Sequence, residues 1–220
     1  MSRIYIVVEG ETEEKFVKQV LQPFYNVRNV FLYPRMITTN RSLGRKGKGG
    51  YEKNYGYHKQ IRKEIMNSLL DQAAFCTTML DLYGLPNDFP GMDVRYNNSN
   101  EKLAGLEAAL QQDIDNRRFI ANLVKHEFEG LLFTNVNEIN KQFDDKPGPR
   151  QELEKIRKAF ATPEDINDDV NTAPSKRIIR IFTDYTKALH GPLIAQEIGL
   201  QTLRQACPHF NAWLEKLERV

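Results

Sequence analysis

Acidic residues stand where three extended apolar segments stop. Ile4-Tyr5-Ile6-Val7-Val8 runs into Glu9, with Glu13 shortly after; Ala74-Phe75-Cys76-Thr77-Thr78-Met79-Leu80 runs into Asp81; and Phe119-Ile120-Ala121-Asn122-Leu123-Val124 leads to Glu127 and Glu129. Segments apolar on both faces are the mark of strands in a parallel sheet. All strands of such a sheet end on the same side, so acids far apart in sequence can converge there, in the crevice where open α/β sheets bind ligands. Gathered carboxylates repel one another. A hard divalent cation, magnesium or manganese, answers that repulsion through oxygen ligands. It also stabilises the oxygens of a phosphoryl displacement. The chemistry these residue types point to is metal-dependent phosphoryl transfer, with Glu9 as ligand or general base.

Each acid also has a plainer explanation. Glu9 and Glu13 flank a helix start, where the macrodipole favours negative charge. Asp81 is a common strand-ending turn residue. Glu127 and Glu129 straddle Phe128; in an extended chain they share a face, and in a helix they diverge. Glu127 lies nearer the strand end and is the favoured ligand, with Glu129 the alternative. What lifts the metal reading above the plain one is that several strand ends carry acids together.

The elements that must position these acids follow from periodicity. A first strand covers residues 3–8. A helix over 12–22 follows, with Thr12 as N-cap, Phe16, Val17, Val20 and Leu21 on one face, and Pro23 as its stop. Residues 29–37 read as a second strand, in which Pro34 implies an edge or a bulge. Helical periodicity returns over 57–71, a third strand covers 74–80, residues 84–98 form a loop, a helix covers 100–116 and a fourth strand covers 119–124. Beyond about residue 135 the pattern is helical, with apolar periodicity at 151–160, 176–189, 192–198 and 208–217. Strand–helix alternation predicts an α/β fold with a mostly parallel sheet of about four strands flanked by helices and a helical C-terminal part. The Asp144–Pro149 punctuation divides the chain into an α/β core over 1–143 and a helical extension over 150–220 that packs on it as one unit.

Between the second strand and the next helix lies a glycine-rich basic loop over residues 40–53, carrying Arg41, Arg45, Lys46 and Lys48, with Tyr51 and Tyr55 available for base stacking. It is not a P-loop, because Lys48 is followed by Gly49 and not by Ser or Thr. Ser175-Lys176-Arg177 opens a helix after Pro174; cations at a helix N-terminus are unfavourable, and an anionic partner would explain them as well as a surface ion pair would.

The chain has 220 residues, a net charge of +2 and two widely separated cysteines, Cys76 and Cys207. That balance does not announce a nucleic-acid binder by itself, so local charge must carry the argument. The cysteines read as free thiols in a reducing compartment. No run approaches the roughly 18–20 apolar residues of a membrane span, and the N-terminus enters a strand with no signal peptide. A cytoplasmic protein is expected.

The blocks Val7-Val8-Glu9-Gly10-Glu11-Thr12-Glu13, Met79-Leu80-Asp81-Leu82-Tyr83-Gly84-Leu85-Pro86, His126-Glu127-Phe128-Glu129-Gly130-Leu131-Leu132-Phe133 and Ala173-Pro174-Ser175-Lys176-Arg177 together resemble the Toprim-like DUF4276 family, itself similar to the nuclease domain of OLD-family proteins. The resemblance covers most of the chain. It implies a Rossmann-like core and magnesium- or manganese-dependent cutting of nucleic-acid backbones. It implies a nuclease, the effector of a bacterial phage-defence module, acting with a separate ATPase subunit and open to homo-oligomerisation. It matches Glu9 and Glu13 to the first acidic motif, Asp81 to the first Asp of Asp-x-Asp, Glu127 or Glu129 to a later ligand and Lys176 to a late catalytic lysine. Tyr83 stands where the second Asp belongs, which removes a ligand for a second metal unless Asp88 or a water supplies it. The competing expectation is a catalytically degenerate subunit that only binds nucleic acid or a partner.

Overall fold

The apolar segments are apolar because they are covered on both sides. A computed structural model describes residues 1–37, 56–167 and 172–220. Strands β1 (Ser2–Val8), β2 (Val30–Met36), β3 (Ala74–Met79) and β4 (Phe119–Ile120) form one sheet in the order β2-β1-β3-β4, with all neighbours parallel. In β1, Ile4, Ile6 and Val8 enter the core on one face and Val7 enters the core on the other. Pro34 lies in β2, at the edge of the sheet, where a residue without an N–H leaves no ladder bond unmade.

Helix α1 (Glu11–Phe16) passes through a π-helical segment (Val17–Leu21) into α2 (Gln22–Asn26). Gly10, not Thr12, is its N-cap; Thr12 is buried in the first turn. Pro23 does not stop the helix. It falls in the first turn of α2, directly after the π-helical stretch, whose wider winding accommodates a residue that cannot donate. A second π-helical segment (Tyr57–Arg62) leads into α3 (Lys63–Leu69), and α4 (Ser99–Ile114) connects β3 to β4. The fourth strand is shorter than its apolar run: regular pairing covers Phe119–Ile120, and the chain touches the third strand again at the Asp81–Val124 bridge.

Residues of α1 and its π-helical continuation pack on one face of the sheet, and residues of α3 and α4 on the other. The chain thus leaves β1 and β3 in opposite directions, which opens a crevice between their carboxyl ends. The register pairs Val8 with Met79, so Glu9 and Asp81 emerge close to the same level.

The C-terminal part comprises α5 (Val136–Lys141), α6 (Pro147–Lys158), α7 (Pro174–Ile181), α8 (Lys187–Ile198), α9 (Leu200–Ala206) and α10 (Pro208–Leu217). It joins the same core as α1. The buried Trp213 indole of α10 donates to Thr77 Oγ1 of β3 at 2.9 Å. The periodic stretch 176–189 is not one helix. It breaks after Ile181, turns through Phe182 and Tyr185, and restarts at Lys187. Phe182 stacks on Phe143 with ring centroids 4.4 Å apart, and this packing bends the chain where its periodicity alone reads straight. Among the described residues no helix is long and apolar enough to cross a membrane.

Candidate metal and phosphoryl-transfer site

Glu9 is the first residue beyond β1. One of its carboxylate oxygens, Oε2, is buried and has no hydrogen-bond partner. Glu13 is buried in the first turn of α1 and accepts the Gly10 N–H through Oε2 at 2.9 Å. Asp81 follows β3 and accepts the Phe128 N–H through Oδ1 at 3.0 Å. These three side chains come from the two strand ends that flank the crevice.

Glu127 and Glu129 arrive from a different direction. The chain is extended at Glu127 and enters a 3₁₀ helix at Phe128. The two side chains nonetheless meet at one cation, because the change of conformation falls between them and neither the strand nor the helix geometry applies to the pair. Lys187 Nζ lies 3.6 Å from Glu127 Oε1 and 3.1 Å from Glu129 Oε2. The second oxygens are also occupied: Ser175 N–H donates to Glu127 Oε2 at 3.1 Å, and Tyr185 Oη donates to Glu129 Oε1 at 3.4 Å.

Lys187 is the site residue that sequence reasoning missed. It opens α8, and α8 is held against α1. A Cβ at Gly191 would come within 3.1 Å of the Phe128 ring and 3.3 Å of Thr12 Cγ2, so the absence of a side chain there favours this close approach. Lys15 Nζ adds a hydrogen bond to the Ala188 carbonyl at 2.8 Å. The local signal, a lysine after Tyr185-Thr186, is too ordinary to be noticed without the turn that aims it.

The electrostatics follow from burial and crowding. Burial, then Glu13, pushes the Glu9 carboxyl up to about 7, against the pull of Lys187 and of the Asp81 N–H, with Glu127 adding to the rise. Burial also raises Glu13. Asp81 is raised well above the carboxylate range by burial, then by Glu13, Glu9 and Glu129. Burial takes Glu129 up to about 7 in spite of Lys187. Burial opposes the charge on Lys187, but Glu129, Glu127 and Asp81 outweigh it and raise its pKa. Carboxylates that push one another this way are short of positive charge.

Among the described residues no group of His, Cys, Asp and Glu side chains is already drawn together as a metal cage. The donor set nevertheless suits a hard divalent cation: every candidate atom is a carboxylate oxygen, and the orphaned Glu9 Oε2 is a buried acceptor lacking a partner.

The remaining sequence-derived candidates stand elsewhere. Lys176 is exposed on α7, next to the Ser175 whose N–H reaches Glu127. Arg177 Nε donates to the Thr172 carbonyl at 2.6 Å, and its guanidinium lies 5.4 Å over the Phe160 ring. Asp88 accepts the Tyr57 N–H at 2.8 Å, at the start of the helix leading into α3. Tyr83 is 42% exposed, and its N–H donates to the His126 carbonyl at 3.2 Å. Arg41, Arg45, Lys46 and Lys48 lie outside the described residues.

A family model described as a domain of unknown function, DUF4276, matches residues 8–218. The comparison with curated proteins returns no match. Among solved structures, the chain is similar to the C-terminal region of the OLD protein of Xanthomonas campestris pv. campestris, at 15% identity over 100% of this chain and 99% of that one, with a TM-score of 0.35.

Proposed function

We propose that this chain, which belongs to the DUF4276 family, is a divalent-metal-dependent nuclease that hydrolyses nucleic-acid phosphodiesters. The observation that carries the reading is that Glu9, Glu13 and Asp81 flank the switch point of the sheet near enough to raise one another's pKa, with Glu9 Oε2 buried and unpartnered. Glu9, Glu13 and Asp81 would hold magnesium or manganese, and the ion would supply positive charge for the oxygens of the scissile phosphate.

The chain's own groups account for the rest. Where Glu9 is not itself a ligand, it is the candidate general base for water. The Phe128 N–H fixes Asp81. Lys187 keeps Glu127 and Glu129 in place. Lys176, exposed beside Ser175, is the candidate to offset charge developing on the phosphate. Arg41, Arg45, Lys46, Lys48 and Arg177 are the candidate backbone contacts for DNA or RNA. In the organism the chain would act as the effector of a defence module, with a separate ATPase subunit and in the cytoplasm.

Cleavage assays on single- and double-stranded DNA and RNA test this reading. Products should form with magnesium or manganese, vanish with chelator, and be lost in Glu9→Ala and Asp81→Ala. Cleavage unchanged in both variants sinks the assignment. A second reading, a binding subunit without catalysis, is favoured by Tyr83, which the resemblance matches to the second acid of Asp-x-Asp. Calorimetry separates the two, since nucleic-acid affinity without manganese binding belongs to the second.

A further inference from the structure

We infer that the Lys187 ammonium stands in for a second cation, so that each chain binds one divalent ion and not two. This rests on the reading of Glu9, Glu13 and Asp81 as a metal site. The carboxylates divide into two sets. In Glu127 and Glu129 every oxygen has a protein partner: the Lys187 ammonium at ion-pair distance and the Ser175 N–H for the first, Lys187 and Tyr185 for the second. This set is closed, and a metal could enter only by displacing the ammonium. In the other set, Glu13 and Asp81 each give an oxygen to a backbone N–H, while Glu9 Oε2 is left with no partner. Open coordination capacity is therefore on the Glu9 side alone.

The Lys187 side chain is 42% exposed, but the backbone that carries it is fixed. Lys187 is the first residue of α8, the turn before it is anchored by the buried Phe182 and Tyr185, and α8 is clamped on α1 at Gly191. The missing acid agrees with this division. Tyr83, which the resemblance matches to a second acid, is a phenol 42% exposed, and Asp88 is engaged at Tyr57. Among the described residues, the carboxylates that could hold a second ion, Glu127 and Glu129, already carry a lysine where such an ion would compensate charge. A monovalent ammonium holds two carboxylates together but lends no Lewis acidity.

Titration calorimetry of the full chain with manganese alone reads this directly. The expected stoichiometry is one ion per wild-type chain and two in Lys187→Met, where Glu127 and Glu129 are freed. The manganese-induced rise in melting temperature should be larger in the variant, because uncompensated buried carboxylates gain most from a cation. Two ions in the wild type overturn the inference, as does one ion in a folded Lys187→Met chain. Where Lys187→Met does not fold, the wild-type stoichiometry decides alone. One bound ion without any cleavage leaves this inference standing and removes the nuclease reading; no bound ion removes both.

Discussion

The Asp81 carboxylate accepts the backbone N–H of Phe128 at 3.0 Å, and so joins the end of β3 to the segment that delivers Glu127 and Glu129. The same carboxylate is crowded by Glu13, Glu9 and Glu129. One side chain thus carries a structural bond and an electrostatic liability, and substitution can separate them. Asp81→Asn keeps an acceptor for Phe128 and removes a carboxyl whose ionisation burial and its acidic neighbours oppose. In chelator its melting temperature should exceed that of the wild type, while metal-dependent cleavage is lost. Asp81→Ala leaves the N–H unpaired, at about 1–3 kcal/mol, and should melt below Asp81→Asn. Equal melting of the two variants would show that the bond contributes nothing.

The helical C-terminal part is predicted to unfold together with the sheet. Trp213 is buried at 2% exposure and bonded to Thr77, so Trp213→Ala should cost about 3–5 kcal/mol. Urea denaturation followed by circular dichroism should show a single transition shifted to lower denaturant. Two separated transitions, with only the second unchanged, would mean that residues 1–143 fold independently of 150–220.

Much of this architecture was legible, and the reasons are physical. β1 and β3 are covered on both faces, so burial wrote itself into uninterrupted apolar runs, and the acids that end them mark the crevice. Pro34 pointed to an edge or a bulge, and β2 is an edge strand. What was not legible depends on packing between distant segments. Pro23 reads as a helix stop until the π-helical turn before it is known. Ala121, Leu123 and Val124 are buried although regular strand pairing ends at Ile120. Lys187 was hidden because the stretch 176–189 keeps helical periodicity across a turn. Glu127 and Glu129 could not be assigned, since the conformational change between them defeats both spacing rules.

A pH dependence of stability follows from His209. Its ring Nε2 lies 3.0 Å from Glu107 Oε1 and 3.0 Å from the Leu123 carbonyl. Burial works against its charge, but Glu107, then Glu164 and the Leu123 carbonyl, outweigh it and raise its pKa. The Lys125–Asp165 pair lines the same cavity. With the folded value above the unfolded one, the contribution is fully present below about 6.5 and is lost as pH rises through the raised value. The melting-temperature gap between wild type and His209→Gln should therefore be widest in mild acid and should narrow on the alkaline side. A gap that grows with pH contradicts the sign.

The basic loop is predicted to bind nucleic-acid backbones. Replacing Arg41, Arg45, Lys46 and Lys48 by alanine should weaken DNA or RNA binding without lowering the melting temperature. Each lost phosphate contact should flatten the plot of log affinity against log salt by about 0.9 on duplex DNA and about 0.7 on single strands. Fluorescence anisotropy over a salt series measures this, and an unchanged slope would place the contacts elsewhere.

The claim on which the rest depends is that Glu9, Glu13 and Asp81 hold a divalent cation. A crystal soaked with manganese and measured at the manganese absorption edge tests it most directly. The account predicts one anomalous peak in contact with Glu9 Oε2 and shared with Asp81 and Glu13, with Lys187 still bridging Glu127 and Glu129. No peak, or a peak seated between Glu127 and Glu129 in place of the ammonium, would contradict it.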